Sequence, residues 1–140
     1  YDLATSENKN HIKDMEGRIN TLLENPEQLE QRVQKSIKNE QTPVDDFDRV
    51  LLKKIYALIE RSEKQGIQLV FILSPRNIDT ETYKVSTQIP QEHFLDLSSA
   101  SRFPELYSLE NSFDLGHLND QGTAFYTKLL VEEYVARNKK

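Results

Sequence analysis

The stretch "GIQLVFILSP", residues 66–75, restricts the fold more than any other part of the chain. Residues 67–73 are rich in branched and aromatic side chains, and a short apolar run bounded by Gly66 and by Ser74-Pro75 reads as a strand buried on both faces. Just upstream, Phe47, Val50, Leu51, Ile55, Leu58 and Ile59 recur at helical spacing, with Asp45 or Asp46 as the cap and Gly66 where a left-handed C-cap residue belongs. Helix, glycine turn and covered strand form one αβ unit of a parallel sheet, so the chain must supply, or find, further strands.

The rest of the sequence offers few. "HFLDLS", residues 93–98, is a second short strand; residues 79–88 have weak helical potential; and "SRFPELYSLENS", residues 101–112, reads as loop. Asn119 is placed to cap a final helix carrying Ala124, Phe125, Leu129, Leu130, Tyr134 and Val135. Two strands leave buried edges without partners, so more strands must either hide in the segments read as loop or lie outside the chain. The expected fold class is α/β: a three-layer α/β/α domain with a small parallel sheet, spanning 43–140 and preceded by a polar helical arm over 1–42.

That arm carries thin apolar stripes: Ile12, Met15, Ile19, Leu22 and Leu23, then Leu29, Val33 and Ile37 after "ENPEQ", where Asn25 can cap and Pro26 can take the first helical position. Stripes this narrow bury little, so the arm is either a solvated helical segment or one that docks a protein partner.

A net charge of -5 argues against nucleic acid as a partner, because neutralising backbone phosphates takes a basic surface. Without cysteine there is no disulfide, thiolate metal site or cysteine nucleophile. No apolar run approaches the roughly 18 residues of a transmembrane helix. The four glycines, at 17, 66, 116 and 122, never take the spacing of a phosphate-binding loop, and no cofactor motif is present. The chain opens on Tyr1 rather than methionine, as a piece of a longer protein would.

Chemistry concentrates in "FDLGHLNDQGTAFYTKLL", residues 113–130. Asp114 and His117 stand three apart on a loop that leads into a helix, where parallel-sheet proteins keep their active sites. A carboxylate bonded to one imidazole nitrogen fixes the tautomer and raises the basicity of the other, so the pair can deprotonate a serine hydroxyl. The same two residues could instead only order the loop. Asp114, His117 and Asp120 could form a small metal site, although no second histidine lies close in sequence. His93 and His11 read as surface or structural residues. Arg76 and Arg102 read as solvated loop arginines within reach of an anionic substrate.

"DLGHLNDQGTAFYTKLL" resembles the final block of SGNH/GDSL-type serine hydrolases, in which Asp-x-x-His-Leu-Asn-x-x-Gly leads into the last helix. "QGIQLVFILSPRN" and "HFLDLS" resemble later strands of that three-layer, flavodoxin-like fold, particularly in members that act on envelope polysaccharides. The resemblance covers residues 45–138. It implies that His117 is the general base, Asp114 its orienting acid, and Gly122 a point of close helix approach. Asn77, at a strand's C-terminal end, stands in for an oxyanion or substrate donor. It further implies an esterase or O-acyltransferase acting on an ester or acylated glycan, outside the cytoplasm or in the cell envelope, with no metal or other cofactor. The family's Gly-Asp-Ser nucleophile block does not occur in this sequence, so the expectation is a C-terminal portion whose serine lies elsewhere. Ser74, at the right end of a strand, is the in-chain alternative, but Pro75 pushes it toward an extended conformation. Ser98, Ser99 and Ser101 read as turn and cap residues.

Overall fold

The computed structural model describes residues 9–76 and 79–138 of the chain, with side chains for 16–76 and 79–137. Among the described residues five helices, α1 (Lys9–Glu24), α2 (Glu27–Gln41), α3 (Arg49–Glu63), α4 (Thr80–Ser86) and α5 (Asp120–Asn138), accompany two strands, β1 (Phe71–Leu73) and β2 (Phe94–Asp96). The strands pair in parallel, Phe71 opposite Phe94 and Leu73 opposite Asp96. Leu97 N–H then donates to the Leu73 carbonyl at 3.0 Å, carrying the pairing one residue further. The chain is therefore a mixed α/β fold around a small parallel sheet.

Helix α3 forms where its periodicity places it, but its cap differs. Asp48, rather than Asp45 or Asp46, accepts the Val50 and Leu51 amides at 2.9 Å each, because a capping carboxylate must stand two and three residues before the amides it takes. Gly66 has a φ of +68°, the left-handed conformation a side chain would resist, and Ile67 N–H closes the turn onto the Ser62 carbonyl.

The strand that follows is shorter than the apolar run and is not covered on both faces. Only residues 71–73 pair, while Ile67 and Ile72 are exposed. With a single neighbouring strand among the described residues, residues 67–70 have no ladder to join, and Ile72 stays exposed although Leu95, its partner on the same face, is buried. Val50, Leu51 and Leu58 of α3 also stay exposed despite their pattern.

The core lies elsewhere. Leu97, Ala100, Phe103, Leu106 and Tyr107 form a buried cluster against which Val33 of α2 and Phe125, Tyr126, Leu129 and Leu130 of α5 pack. Two of the five, Leu106 and Tyr107, lie in a 3-10 turn, Pro104–Tyr107, which Phe103 caps, inside the segment read as loop. On α5, the expected core positions Ala124, Tyr134 and Val135 face outward and Tyr126 takes their place.

Helix α2 is anchored by polar bonds as well as by Leu29 and Val33. Ser36 Oγ donates to the Ser98 carbonyl at 2.9 Å and accepts the Ala100 amide at 3.0 Å, and the buried Asn39 accepts the Thr80 hydroxyl at 2.9 Å. Asn25 does not cap α2. Its side-chain amide donates to the Thr21 carbonyl of α1 at 3.0 Å, because α1 ends beside it and leaves carbonyls that need donors. No described helix is long and apolar enough to cross a membrane.

Candidate active site

The Asp114–His117 turn is closed from within. Phe113 N–H donates to the His117 carbonyl at 3.0 Å, and Ser112 and Leu118 form an antiparallel bridge, so the five residues between them make a tight protrusion just ahead of α5. Asp114 Oδ1 accepts the Gly116 and His117 amides, both at 2.7 Å. An aspartate taking the amides two and three residues on closes the turn with its own side chain.

The same carboxylate takes the imidazole. His117 Nδ1 lies 2.8 Å from Oδ1 and 2.9 Å from Oδ2 of Asp114. An ionised carboxylate only accepts, so Nδ1 carries the proton and Nε2 of the neutral ring presents a lone pair. That ring is 65% exposed, whereas the Asp114 side chain is 14% exposed: a sheltered acid behind an open base. Burial is the largest influence on the Asp114 carboxyl and pushes it up. The Gly116 amide, the His117 ring and the His117 amide together outweigh burial and hold the carboxyl below the ordinary carboxylate range. Arg18 of α1 adds a longer contact, Nη1 to Asp114 Oδ2 at 3.5 Å.

His117 lines a cleft of about 320 Å³ with Ser74, Pro75, Arg76, Gly116, Leu118, Thr123 and Tyr126. Ser74 directly follows β1, so the cleft opens at the C-terminal end of that strand, where α/β sheets bind ligands. Helix α5 starts beside it. Asn119 Oδ1 accepts the Gly122 amide at 2.9 Å, and the Asn119 carbonyl accepts the Thr123 amide at 2.8 Å, as its cap role requires. The N-terminal end of α5 directs a partial positive charge toward this region.

The remaining candidates separate. Asn77 lies outside the described residues, and so does the His11 side chain. Asp120 is exposed, and among the described residues no group of three His, Asp or Glu side chains gathers as metal ligands. His93 is buried and structural, with Nδ1 2.8 Å from the Leu69 carbonyl and Nε2 3.3 Å from Glu63. Ser98 and Ser99 are buried turn residues: Ser98 bonds Asp96, and Ser99 Oγ accepts the Arg102 amide. Arg102 is exposed, pairs with Glu133 at 3.3 Å and lies over the Phe103 ring.

Arg76 is the residue that sequence reasoning misplaced. It is 3% exposed, not solvated, and has a φ of +79°. Its guanidinium donates to the Leu106 carbonyl (2.7 Å), the Asp114 and His117 carbonyls (3.0 and 3.2 Å) and Ser112 Oγ (2.9 Å). Burial is the main cause that brings its pKa down to about 10, with Tyr107 and Asp114 opposing, so it stays cationic at neutral pH. Its position directly after Ser74-Pro75, at the end of a strand, was the one available signal.

Comparison with profiles of known protein families, with curated proteins and with solved structures found no match.

Proposed function

We propose that this chain is the C-terminal part of an SGNH-like, three-layer α/β/α serine esterase or O-acyltransferase and supplies its His-Asp pair. The observation that carries the reading is the 2.8 Å contact between His117 Nδ1 and Asp114, with the opposite face of the ring open to a cleft at the C-terminal end of β1. Nε2 takes the proton of a serine hydroxyl as its oxygen attacks the ester carbonyl. His117, now an imidazolium held by Asp114, returns that proton to the departing alcohol. Water, or an acceptor hydroxyl, then attacks the acyl-serine with Nε2 again as base. The exposed Ile67 and Ile72 beside the short sheet suit a domain in which further strands, and the Gly-Asp-Ser serine with them, come from outside these residues. An acylated envelope glycan as substrate and an extracytoplasmic setting follow from the resemblance alone.

A second reading, a non-catalytic α/β module whose helical arm binds a protein, is favoured by the exposed Ile19 and Leu23 of α1. Hydrolysis of p-nitrophenyl acetate, followed by acyl transfer to a glycan acceptor, separates the two readings. The full-length protein should turn over, and His117→Ala and the 140-residue chain alone should lose most of that rate. A full-length protein inert in both assays, or indifferent to His117, sinks the enzyme reading. Turnover by the chain alone that Ser74→Ala abolishes would instead make Ser74, which lines the same cleft, the nucleophile.

A further inference from the structure

We propose that Arg76 is the positioning residue of this site: its buried guanidinium clamps both ends of the Asp114–His117 turn by their carbonyls and so fixes the imidazole against its acid. For its catalytic consequence the inference rests on the hydrolytic reading; for its structural content it stands alone.

The geometry is specific. One nitrogen, Nη1, donates to the Asp114 and the His117 carbonyl, so the two residues that must stay in register are held by the same nitrogen. Nε and Nη2 reach back to Leu106 and Ser112, on the segment that leads into the turn. The Arg76 amide donates to Tyr107 Oη at 3.2 Å, that hydroxyl donates to the Ser98 carbonyl at 2.6 Å, and the Arg76 carbonyl accepts from Arg32 of α2 at 3.0 Å. Three residues before Arg76 is Leu73, the last residue of β1. The strand end that floors the cleft and the loop that bears the base are thereby held in one frame.

Two features show that the arrangement is costly and so not incidental. Every hydrogen-bond acceptor the structure shows for the guanidinium is neutral, so the Asp114 carboxylate offsets the expense of burying the cation only through space. The backbone also sits at a positive φ, a conformation that a residue with a side chain resists. With four of its N–H bonds engaged, the guanidinium has little left for a substrate, which distinguishes positioning from binding. A lysine could not replace it, because an ammonium lacks the planar fork that spans four acceptors.

The test reads the tautomer of the His117 ring from its nitrogen chemical shifts in mildly alkaline buffer, in the 140-residue chain. The unsubstituted chain should show the proton on Nδ1, as the Asp114 contact requires. Arg76→Gly leaves the φ of +79° comfortable, so it removes the clamp without adding backbone strain. It should shift the ring toward the Nε2–H form that free imidazole side chains prefer, with helical circular dichroism retained. Arg76→Lys should shift it in the same direction. In the full-length protein, Arg76→Lys should lower kcat by about 10²-fold with a smaller change in KM, the size expected of a misplaced catalytic group.

A ring that keeps Nδ1–H in either variant overturns the proposal even if His117→Ala abolishes activity; indifference of activity to His117 sinks the hydrolytic reading but leaves the tautomer result to decide on Arg76. Should both variants unfold, the unsubstituted chain decides: a slowly exchanging Arg76 Nε–H and restricted guanidinium rotation are expected, and a freely rotating, rapidly exchanging group overturns the clamp.

Discussion

A Cβ on Gly122 would lie 2.3 Å from the carbonyl oxygen of Asn111. The first turn of α5 therefore rests directly on the backbone of the segment before the Asp114–His117 turn. The same Asn111 carbonyl accepts the Asn119 amide at 3.2 Å, so the contact that seats the helix also seats its cap. Gly122→Ala sets a helix-propensity gain of about 1 kcal/mol against a collision with main chain, which cannot rotate away. The collision wins: α5 must lift, and the expected net loss is about 1–3 kcal/mol, the usual range for overpacking. A thermal melt showing an unchanged or raised midpoint would mean that α5 does not sit this close.

Asp48 alone should matter among the three acids ahead of α3. Asp48→Ala removes the acceptor of two amides and should cost about 0.5–2 kcal/mol. Asp46→Ala, at an exposed position outside that cap, should change stability by less than about 0.5 kcal/mol. Urea midpoints of the two variants check the difference, and equal losses would put the cap elsewhere.

The carboxyl of Asp114 sets the sign of one pH dependence. Its folded pKa is depressed, so between the folded and unfolded values the unfolded chain binds more protons. The stability it contributes is therefore complete above the unfolded carboxylate value of about 4 and is lost as pH falls through the folded value. Asp114→Asn, which cannot ionise, should be less stable than the parent chain near neutrality by on the order of 1 kcal/mol, with a gap that narrows as pH drops below about 4. Denaturant titrations of both chains across that range measure the gap, and a constant difference would show that the carboxylate is not held as the geometry implies.

Much of the candidate site's geometry was legible because it is local. Asp114, His117, Asn119 and Gly122 fall within nine consecutive residues, and the side-chain bonds of Asp114 and Asn119 that close the turn and cap the helix run two or three residues along the chain. Arg76 was not legible for the opposite reason. Three of its acceptors are main-chain carbonyls 30 to 41 residues away, which any amino acid could supply, so no residue type in the sequence marks the partnership. The extent of β1 misled because a continuous apolar run reports burial that neighbouring strands must provide. The core misled more. Leu97, Phe103, Leu106 and Tyr107 sit on a strand end and a single short turn, where no helical or strand period lasts long enough to register.

That last mismatch gives the sharpest test of where the core lies. Leu106 occupies a four-residue turn in a segment without periodicity, yet it is 0% exposed, and the turn packs against both α2 and α5. Leu58 belongs to the best-patterned helix in the chain, yet it is 50% exposed. Leu106→Ala should open a cavity that α2 and α5 cannot both close and cost about 2–5 kcal/mol. Leu58→Ala, whose side chain already meets solvent, should stay within about 0.5 kcal/mol in this chain. Denaturation midpoints with unchanged m-values would confirm the order. The reverse order would mean that the stripe on α3, not the turn at 104–107, seals the core. In a full-length protein whose further strands cover α3, Leu58→Ala should become costly while the loss at Leu106 stays as it is, so the pair of variants also reads out whether that face is covered.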